Sequence, residues 1–336
     1  MPELLAEVTR GPIVESRHYG HIAVCDSDGR LIAYAGEPKT VTYFRSAAKP
    51  IQALNVFLSG AYDRFRFTDQ ELAIICSSHY GETMHAEVIL RILKKLDLPI
   101  EALLCGSPLS VQAGLRNRQL WEHHDLKPYN SDCSGKHCGF LASCLAKGYP
   151  IEEYNQPDHP LQRDILRIVS DVTGVPANDI AIGVDGCGVP VHGIPVQNMA
   201  MAYARITNPE HLPAKYRFGA EAIFTAMNTA PEMVAGTGGF CTELIKNAHG
   251  RLIGKLGAEA VYCVGIKDRN IGIAVKIEDG EYHRPLYPTV ISVLRQLDLL
   301  TRDEMEALKA FAAPPVINDL GREVGVTRSA FRLKIV

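Results

Sequence analysis

Strand-like patterns occupy both ends of this chain and helical patterns fill its middle, an order that few folds accommodate. Near the start, His21-Ile22-Ala23-Val24 and Leu31-Ile32-Ala33-Tyr34 flank the turn cluster Cys25-Asp26-Ser27-Asp28-Gly29-Arg30, which predicts an antiparallel hairpin. Near the end, Ala260-Val261-Tyr262-Cys263-Val264 and Ile271-Gly272-Ile273-Ala274-Val275-Lys276-Ile277 flank a polar turn around Asp268-Arg269-Asn270 and predict another. Between them, Thr68 and Glu71 fit a capping box, and His85 to Leu96 and Leu161 to Val172 carry apolar residues at helical spacing. Thr301 and Glu304 repeat the box before a last helix. Strands from both ends bury their apolar faces together by pairing in one sheet, with the helical middle packed on it or forming a lobe. The expected fold is therefore mixed α/β. No low-complexity linker or internal repeat interrupts the chain, so we expect a single domain over residues 1–336, divisible into a sheet lobe (1–65 and 235–336) and a helical lobe (66–234).

Composition narrows the function classes. A chain of 336 residues, 46% of them hydrophobic, buries roughly 75% of its unfolded surface and needs neither disulfides nor metal merely to fold. A formal charge of −3 argues against a nucleic-acid groove or an anionic-membrane face, both of which depend on clustered basic charge. No apolar run approaches the ~18 residues of a membrane span. Glu3 and Glu7 stand where a signal peptide would be basic and then apolar, so the expected location is the cytoplasm. Nine cysteines, an odd number, then read as thiols and possible metal ligands rather than a disulfide framework. Small-molecule chemistry becomes the default.

Arg45-Ser46-Ala47-Ala48-Lys49-Pro50 follows the strand-like Val41-Thr42-Tyr43-Phe44 and precedes the apolar run Ile51 to Leu58, which implies strand, turn and helix start. With Ser46 near the N-cap, Pro50 falls in the first turn, where its missing N–H has no intrahelical partner to lose. The spacing puts the Ser46 hydroxyl and the Lys49 amine on one face, where a neutral amine could deprotonate the serine. The plainer reading is a serine cap beside a surface lysine. Cys76-Ser77-Ser78-His79-Tyr80-Gly81-Glu82 interrupts two helical patterns, as a functional loop between rigid elements would. His79 there is either a base or a histidine with a satisfied hydrogen bond. With Lys255-Leu256-Gly257 leading into a strand, the order Ser-x-x-Lys, serine loop, Lys-x-Gly resembles the active-site layout of serine β-lactamases and penicillin-binding proteins.

Two Gly-rich turns carry thiols. Ser131-Asp132-Cys133-Ser134-Gly135-Lys136-His137-Cys138-Gly139 opens a helix, and Val184-Asp185-Gly186-Cys187-Gly188-Val189-Pro190 follows the strand-like Ile180-Ala181-Ile182-Gly183. Two thiolates with one nitrogen ligand would leave an open position on a four-coordinate zinc ion. The spacing is not that of a zinc finger, and two buried thiols near sharp turns explain it equally.

Taken together, Phe44 to Pro50, Ser77 to Glu82, Cys133 to His137, Val184 to Pro190, and Lys255 with Gly257-Ala258-Glu259-Ala260 resemble the rhizobial-type, class 3 L-asparaginase family over nearly the whole chain. The resemblance implies a fold similar to serine β-lactamases and penicillin-binding proteins, a homodimer, and hydrolysis of the small molecule L-asparagine to L-aspartate and ammonia. It implies two serine-lysine tandems, Ser46 with Lys49 and Ser78 with Lys255. It further implies one zinc ion (Zn2+) per chain, held by Cys133, Lys136 and Cys187 and organising the pocket more than driving the chemistry. Arg45, His137 and Asp185 match positions that hold the substrate, with charges suited to the α-carboxylate (Arg45) and the α-ammonium (Asp185) of an amino acid. The segment Gly236 to Thr242 departs from the family's pattern, with Gly239 where some relatives carry Arg and Cys241 where some carry Asp. Cys241 is there a substrate-side thiol or a small packing residue. The rival functions are a serine-dependent glutaminase or β-lactam hydrolase on the same scaffold, and a zinc- or amino-acid-binding sensor without chemistry.

Overall fold

The computed structural model of the protein describes all residues from Met1 to Val336. Two compact units form: one from Met1–Ala47, Ile194–His211 and Glu243–Val336, the other from Ala48–Gly193 and Leu212–Thr242.

The first unit is built on a nine-stranded sheet in the order Pro315–Ile317, Glu323–Ser329, Glu3–Arg10, Ile13–Cys25, Ile271–Ile277, Val261–Ile266, Leu252–Gly257. Leu31–Ala35 pairs with the far half of Ile13–Cys25, and Lys334–Ile335 pairs in turn with Leu31–Ala35. The pairings of this sheet are antiparallel. Both expected hairpins form, and strands from the two ends of the chain meet where Ile13–Cys25 lies against Ile271–Ile277, with Val24 opposite Ile273. Every residue from Gly20 to Cys25 is buried, on both faces of the pleat, because the helices Val196–Thr207 and Leu286–Gln296 cover this part of the sheet. Gly272 lets the first of these helices lie close: a Cβ at that position would overlap the Ala200 carbonyl. The fold is thus mixed α/β, with a large antiparallel sheet and helices.

The second unit is mainly helical. The Ser134–Lys147 helix packs on Asp69–Ile75 and Thr83–Leu96, and Asp69–Ile75 also packs on Ala214–Thr229. A hairpin of Ala181–Val184 and the start of Pro190–Pro195 adds strand structure, with Gly183 opposite Val191. Gly135 marks the closest helix contact, since a Cβ there would overlap the Ile74 carbonyl. The capping boxes read from Thr68/Glu71 and Thr301/Glu304 are both present.

Glu71 does more than cap. Its carboxylate is fully buried, accepts from the Thr68 N–H at 2.9 Å and Lys95 Nζ at 2.6 Å through Oε2, and accepts from Arg91 Nε at 3.2 Å through Oε1. Burial alone would raise its pKa, but the bonds from Lys95, Thr68 and Arg91 outweigh it and hold the pKa below the usual carboxyl value. A depressed carboxyl pKa adds stability that is present above the unfolded value and disappears as pH falls through the folded one. Glu71→Gln is accordingly expected to lose about 2 kcal/mol at pH 7, the worth of hydrogen bonds to a charged group, and much less at pH 3. Urea denaturation at the two pH values reads this, and an equal loss at both would contradict it.

Candidate active site

The residues singled out in the sequence fall into two groups, one in each unit. In the first unit, Phe44 through Ala47 do not make the expected helix cap. Arg45–Ala48 is a 3-10 turn, the α-helix begins only at Lys49 with Ala48 as its cap residue, and Pro50 sits at the helix start as anticipated. The reason is local: Arg45 adopts a left-handed φ of 50°, which turns the chain sharply before Ser46. The turn is held by the fully buried Tyr203, whose hydroxyl donates to the Ala47 carbonyl at 2.8 Å. Gly257 closes the other side, where a Cβ would come 3.0 Å from the Phe44 carbonyl and 3.2 Å from the Ala47 nitrogen. Lys255 therefore does not lead into a strand but lies within Leu252–Gly257, two residues before this contact. Its ammonium is fully buried and donates to the Leu256 carbonyl at 2.7 Å. Arg45, Ser46 and the Lys255–Gly257 strand end belong to one neighbourhood.

In the second unit, Lys49 is 1% exposed and is gathered in by three acceptors. Its Nζ donates to the Ser77 carbonyl at 2.5 Å, Ser78 Oγ at 3.0 Å and the Asp132 carbonyl at 3.2 Å, with Asp132 Oδ2 at 3.8 Å. A surface lysine it is not. Three acceptors saturate an ammonium, so Lys49 in this state orients Ser78 as a cation. The loop that carries Ser78 runs from Cys76 to Glu82 between Asp69–Ile75 and Thr83–Leu96, and is tied down by Ser78 N–H to the Val234 carbonyl at 3.0 Å and Tyr80 N–H to the Ala235 carbonyl at 2.7 Å. Cys241 is buried in the Phe240–Asn247 helix that follows this partner segment. Gly239 has a structural reason to lack a side chain: a Cβ would come 2.6 Å from the Tyr80 hydroxyl.

Asp132, which the sequence reading passed over, links Lys49 to the thiols: its Oδ2 lies 3.7 Å from Cys133 Sγ. Cys133 caps the Ser134–Lys147 helix, and Lys136 one turn later donates to Cys187 Sγ at 2.9 Å, with Asp185 Oδ2 at 3.8 Å from its Nζ. Cys187 arrives from the turn of the 181–195 hairpin, where Gly188 takes a φ of 85°. The two sulfurs share a proton unequally. A hydrogen bond from Cys133, the Lys136 cation and His137 hold the Cys187 pKa far below the ordinary thiol value against the effect of burial, so Cys187 is the thiolate. The same bond, with burial and Asp132, pushes Cys133 well up, so it keeps its proton. Burial pulls the Lys136 pKa down, but Cys187, Cys133 and Asp185 raise it further, and the amine stays an ammonium. Cys133, Lys136 and Cys187, the residues expected to hold zinc, lie together. Two sulfurs and an amine suit a soft, four-coordinate ion such as zinc, provided the metal displaces the protons on Lys136 and Cys133. No group of three or more His, Cys, Asp and Glu side chains is arranged to hold a metal, so a site here depends on the lysine.

His79 turns out to be a fixed neutral histidine. Its Nδ1 accepts from the Gly81 N–H at 3.1 Å, so the proton is on Nε2, which donates to Ser134 Oγ at 2.8 Å. It stacks on His85 with ring centroids 4.9 Å apart. His85 is set the same way, accepting from the Glu82 N–H and donating to the Glu232 carbonyl at 3.0 Å. Burial, then the neighbouring His85 and Lys49, pull the His79 pKa well down, and burial likewise lowers that of His85. The unfolded chain thus takes up protons first on acidification, and stability present above about pH 6.5 is lost as pH falls toward the folded values, at about 1.4 kcal/mol per pH unit for each group. His79→Gln, which keeps the donor to Ser134, is expected to make the decline between pH 6.5 and 5 shallower in urea denaturation. An unchanged slope would assign the acid sensitivity elsewhere.

No helix is long and apolar enough to cross a membrane. No curated protein sequence matches the chain. A family model, L-asparaginase II, matches residues 6–329, nearly the entire chain, and supports amidohydrolase activity of the asparaginase type on a small-molecule substrate. The buried lysines, the serine turn and the thiolate cluster all lie inside that match, and the chain belongs to the L-asparaginase II family.

Proposed function

We propose that this protein hydrolyses L-asparagine to L-aspartate and ammonia through a serine ester, as a single asparaginase domain of serine β-lactamase-like fold that works in the cytoplasm as a homodimer. The observation that supports serine chemistry best is Lys49, buried and bonded to Ser78 Oγ at 3.0 Å, because a lysine held against a serine hydroxyl is the element that moves protons in an amide hydrolysis without a histidine. Ser46, three residues before Lys49 in the chain and held in its turn by Tyr203 and the Gly257 contact, attacks the side-chain amide carbon. Lys49, neutral in the reacting state, takes the Ser46 proton as the bond to carbon forms; Ser78 relays a proton to the nitrogen of the tetrahedral intermediate, the C–N bond breaks and ammonia leaves, and water then hydrolyses the β-aspartyl ester. Lys255 forms the second tandem with Ser78. Backbone N–H groups of the 3-10 turn stabilise the oxyanion. Arg45 takes the α-carboxylate of the substrate, Asp185 its α-ammonium, and His137 donates a hydrogen bond to it.

Cys133, Lys136 and Cys187 would hold the zinc ion, which when bound supplies a Lewis-acid centre with one open position. The chain's own part is to present three donors already gathered, with Lys136 Nζ 2.9 Å from Cys187 Sγ.

A second reading is favoured by one specific distance: the Lys49 to Ser78 bond makes Ser78 a rival nucleophile. Ammonia release from asparagine, glutamine and a chromogenic β-lactam, measured on one batch with its zinc content, tests the substrate. Asparagine-selective turnover is expected, and tight asparagine binding without ammonia would instead support a sensor. Peptide mapping of an acyl-enzyme trapped at low pH then separates the serines: the expected adduct is on the Ser46 peptide.

A further inference from the structure

His137 has both ring nitrogens buried, yet only one of them is bonded. Its Nδ1 lies 2.6 Å from the Tyr154 hydroxyl, and its Nε2 has no hydrogen-bond partner of ordinary geometry, although the ring feels the Cys187 thiolate and the Lys136 cation. Tyr154 is itself fully buried, and its oxygen already accepts the Leu104 N–H at 2.9 Å. A phenol oxygen that accepts from one N–H still has a proton to place, and the only acceptor bonded to it is His137 Nδ1. Were Nδ1 the protonated nitrogen, the Tyr154 oxygen would accept from both the ring and Leu104, and the buried phenol proton would be left without an acceptor. That cost vanishes if Tyr154 donates to Nδ1 and the ring proton sits on Nε2.

We infer that Tyr154 is a positioning residue: it locks His137 as the Nε2–H tautomer, so that the ring presents a hydrogen-bond donor, never an acceptor, to the space beside Cys187. The inference rests on the reading above for its functional consequence, namely that an N–H beside Cys187 recognises an anionic or carbonyl oxygen of the substrate. The tautomer itself stands apart from any turnover. The chain of donors Leu104 N–H, Tyr154 O–H and His137 Nε2–H runs in one direction, from a backbone amide that cannot reverse to the ring, which is what fixes its sense. Tyr154 also meets the His137 ring edge-on, with centroids 5.5 Å apart and planes at 71°, so the imidazole cannot rotate away while the hydroxyl is bonded.

The test is nitrogen-15 NMR of the histidine rings in the protein as isolated, with His137 assigned by its disappearance in His137→Gln. The wild type is expected to show Nδ1 as the unprotonated nitrogen and Nε2 as the protonated one, with a slowly exchanging Tyr154 hydroxyl proton coupled across the hydrogen bond to Nδ1. In Tyr154→Phe the ring is expected to show both tautomers. The same variant should raise KM for asparagine about tenfold, the worth of one hydrogen bond, while kcat changes less than threefold. A merely structural tyrosine would not divide KM from kcat in this way. Protonated Nδ1 in the wild type overturns the inference, and so does a single Nε2–H tautomer retained in a folded Tyr154→Phe protein. If that variant does not fold, the wild-type coupling decides alone, since its absence refutes donation from Tyr154. Wild-type resonances as expected in a protein that releases no ammonia would leave the tautomer assignment standing and remove the asparaginase reading.

Discussion

Lys49→Met is expected to lower kcat/KM for asparagine by at least about a thousandfold, within the range by which a positioned proton carrier accelerates a reaction. The methionine chain matches the lysine stem in length and bulk but carries no proton and no donor. Three groups lose their bond from Lys49 at once: the Ser77 carbonyl, the Asp132 carbonyl and Ser78 Oγ. The two carbonyls are costly to leave unpaired, about 1 to 3 kcal/mol each, so the melting temperature should fall as well. Loss of activity must therefore be separated from loss of fold. Lys49→Arg does this, because the guanidinium keeps the positive charge but does not release a proton near neutral pH. We expect the arginine variant to be as inactive as the methionine variant. Activity above a tenth of wild type in Lys49→Arg would mean that Lys49 supplies charge alone. Groups that act as one machine do not add when removed together. Ser46→Ala combined with Lys49→Met should consequently be no slower than the worse of the two single variants, as read by steady-state ammonia release.

The ease with which parts of this molecule can be read from sequence follows the range of the interactions involved. Capping at Thr68 and Thr301 depends on residues three apart, and both boxes stand where the sequence puts them. The two hairpins are equally local, and their meeting in one sheet follows from the apolar strands at both chain ends. The thiols were visible as motifs, but nothing in either motif says that Lys136 from one will reach Cys187 of the other. That contact is made by the packing of a helix start against a hairpin turn, a tertiary fact. Tyr154 was invisible for the same reason, sitting in a loop of no motif and gaining its role only from His137 and Leu104. Asp132 lay inside a motif that was read for its sulfurs, and its carbonyl and carboxylate both turned toward Lys49. At Ser46 the reading placed a helix cap two residues too early, because a positive φ at an arginine has no signature in the sequence.

The second large effect is expected at the thiolate. Cys187→Ala removes the anion 2.9 Å from Lys136 Nζ and leaves that ammonium, 3% exposed, with Asp185 Oδ2 at 3.8 Å as its remaining anionic neighbour. An uncompensated buried charge costs about 3 to 5 kcal/mol, a large part of the stability of an ordinary domain. The lysine can respond by giving up its proton, but the neutral amine would still be buried with fewer acceptors than donors. Removing both partners tells a different story, since a buried ion pair exchanged for apolar groups is often neutral or stabilising. In metal-free protein, then, Lys136→Met with Cys187→Ala should recover at least half of what Cys187→Ala loses, by urea denaturation. The zinc reading makes a separate prediction on the same three proteins. Wild type loaded with zinc should melt at a lower temperature after chelation, because binding to the folded state alone stabilises it, while neither variant should respond to the chelator. Recovery in the double variant without a chelator effect in the wild type would make Cys187 and Lys136 an internal ion pair and nothing more. A chelator effect confined to the wild type would add the metal to a site whose donors the fold has already brought together, with the lysine proton as the group that zinc must displace.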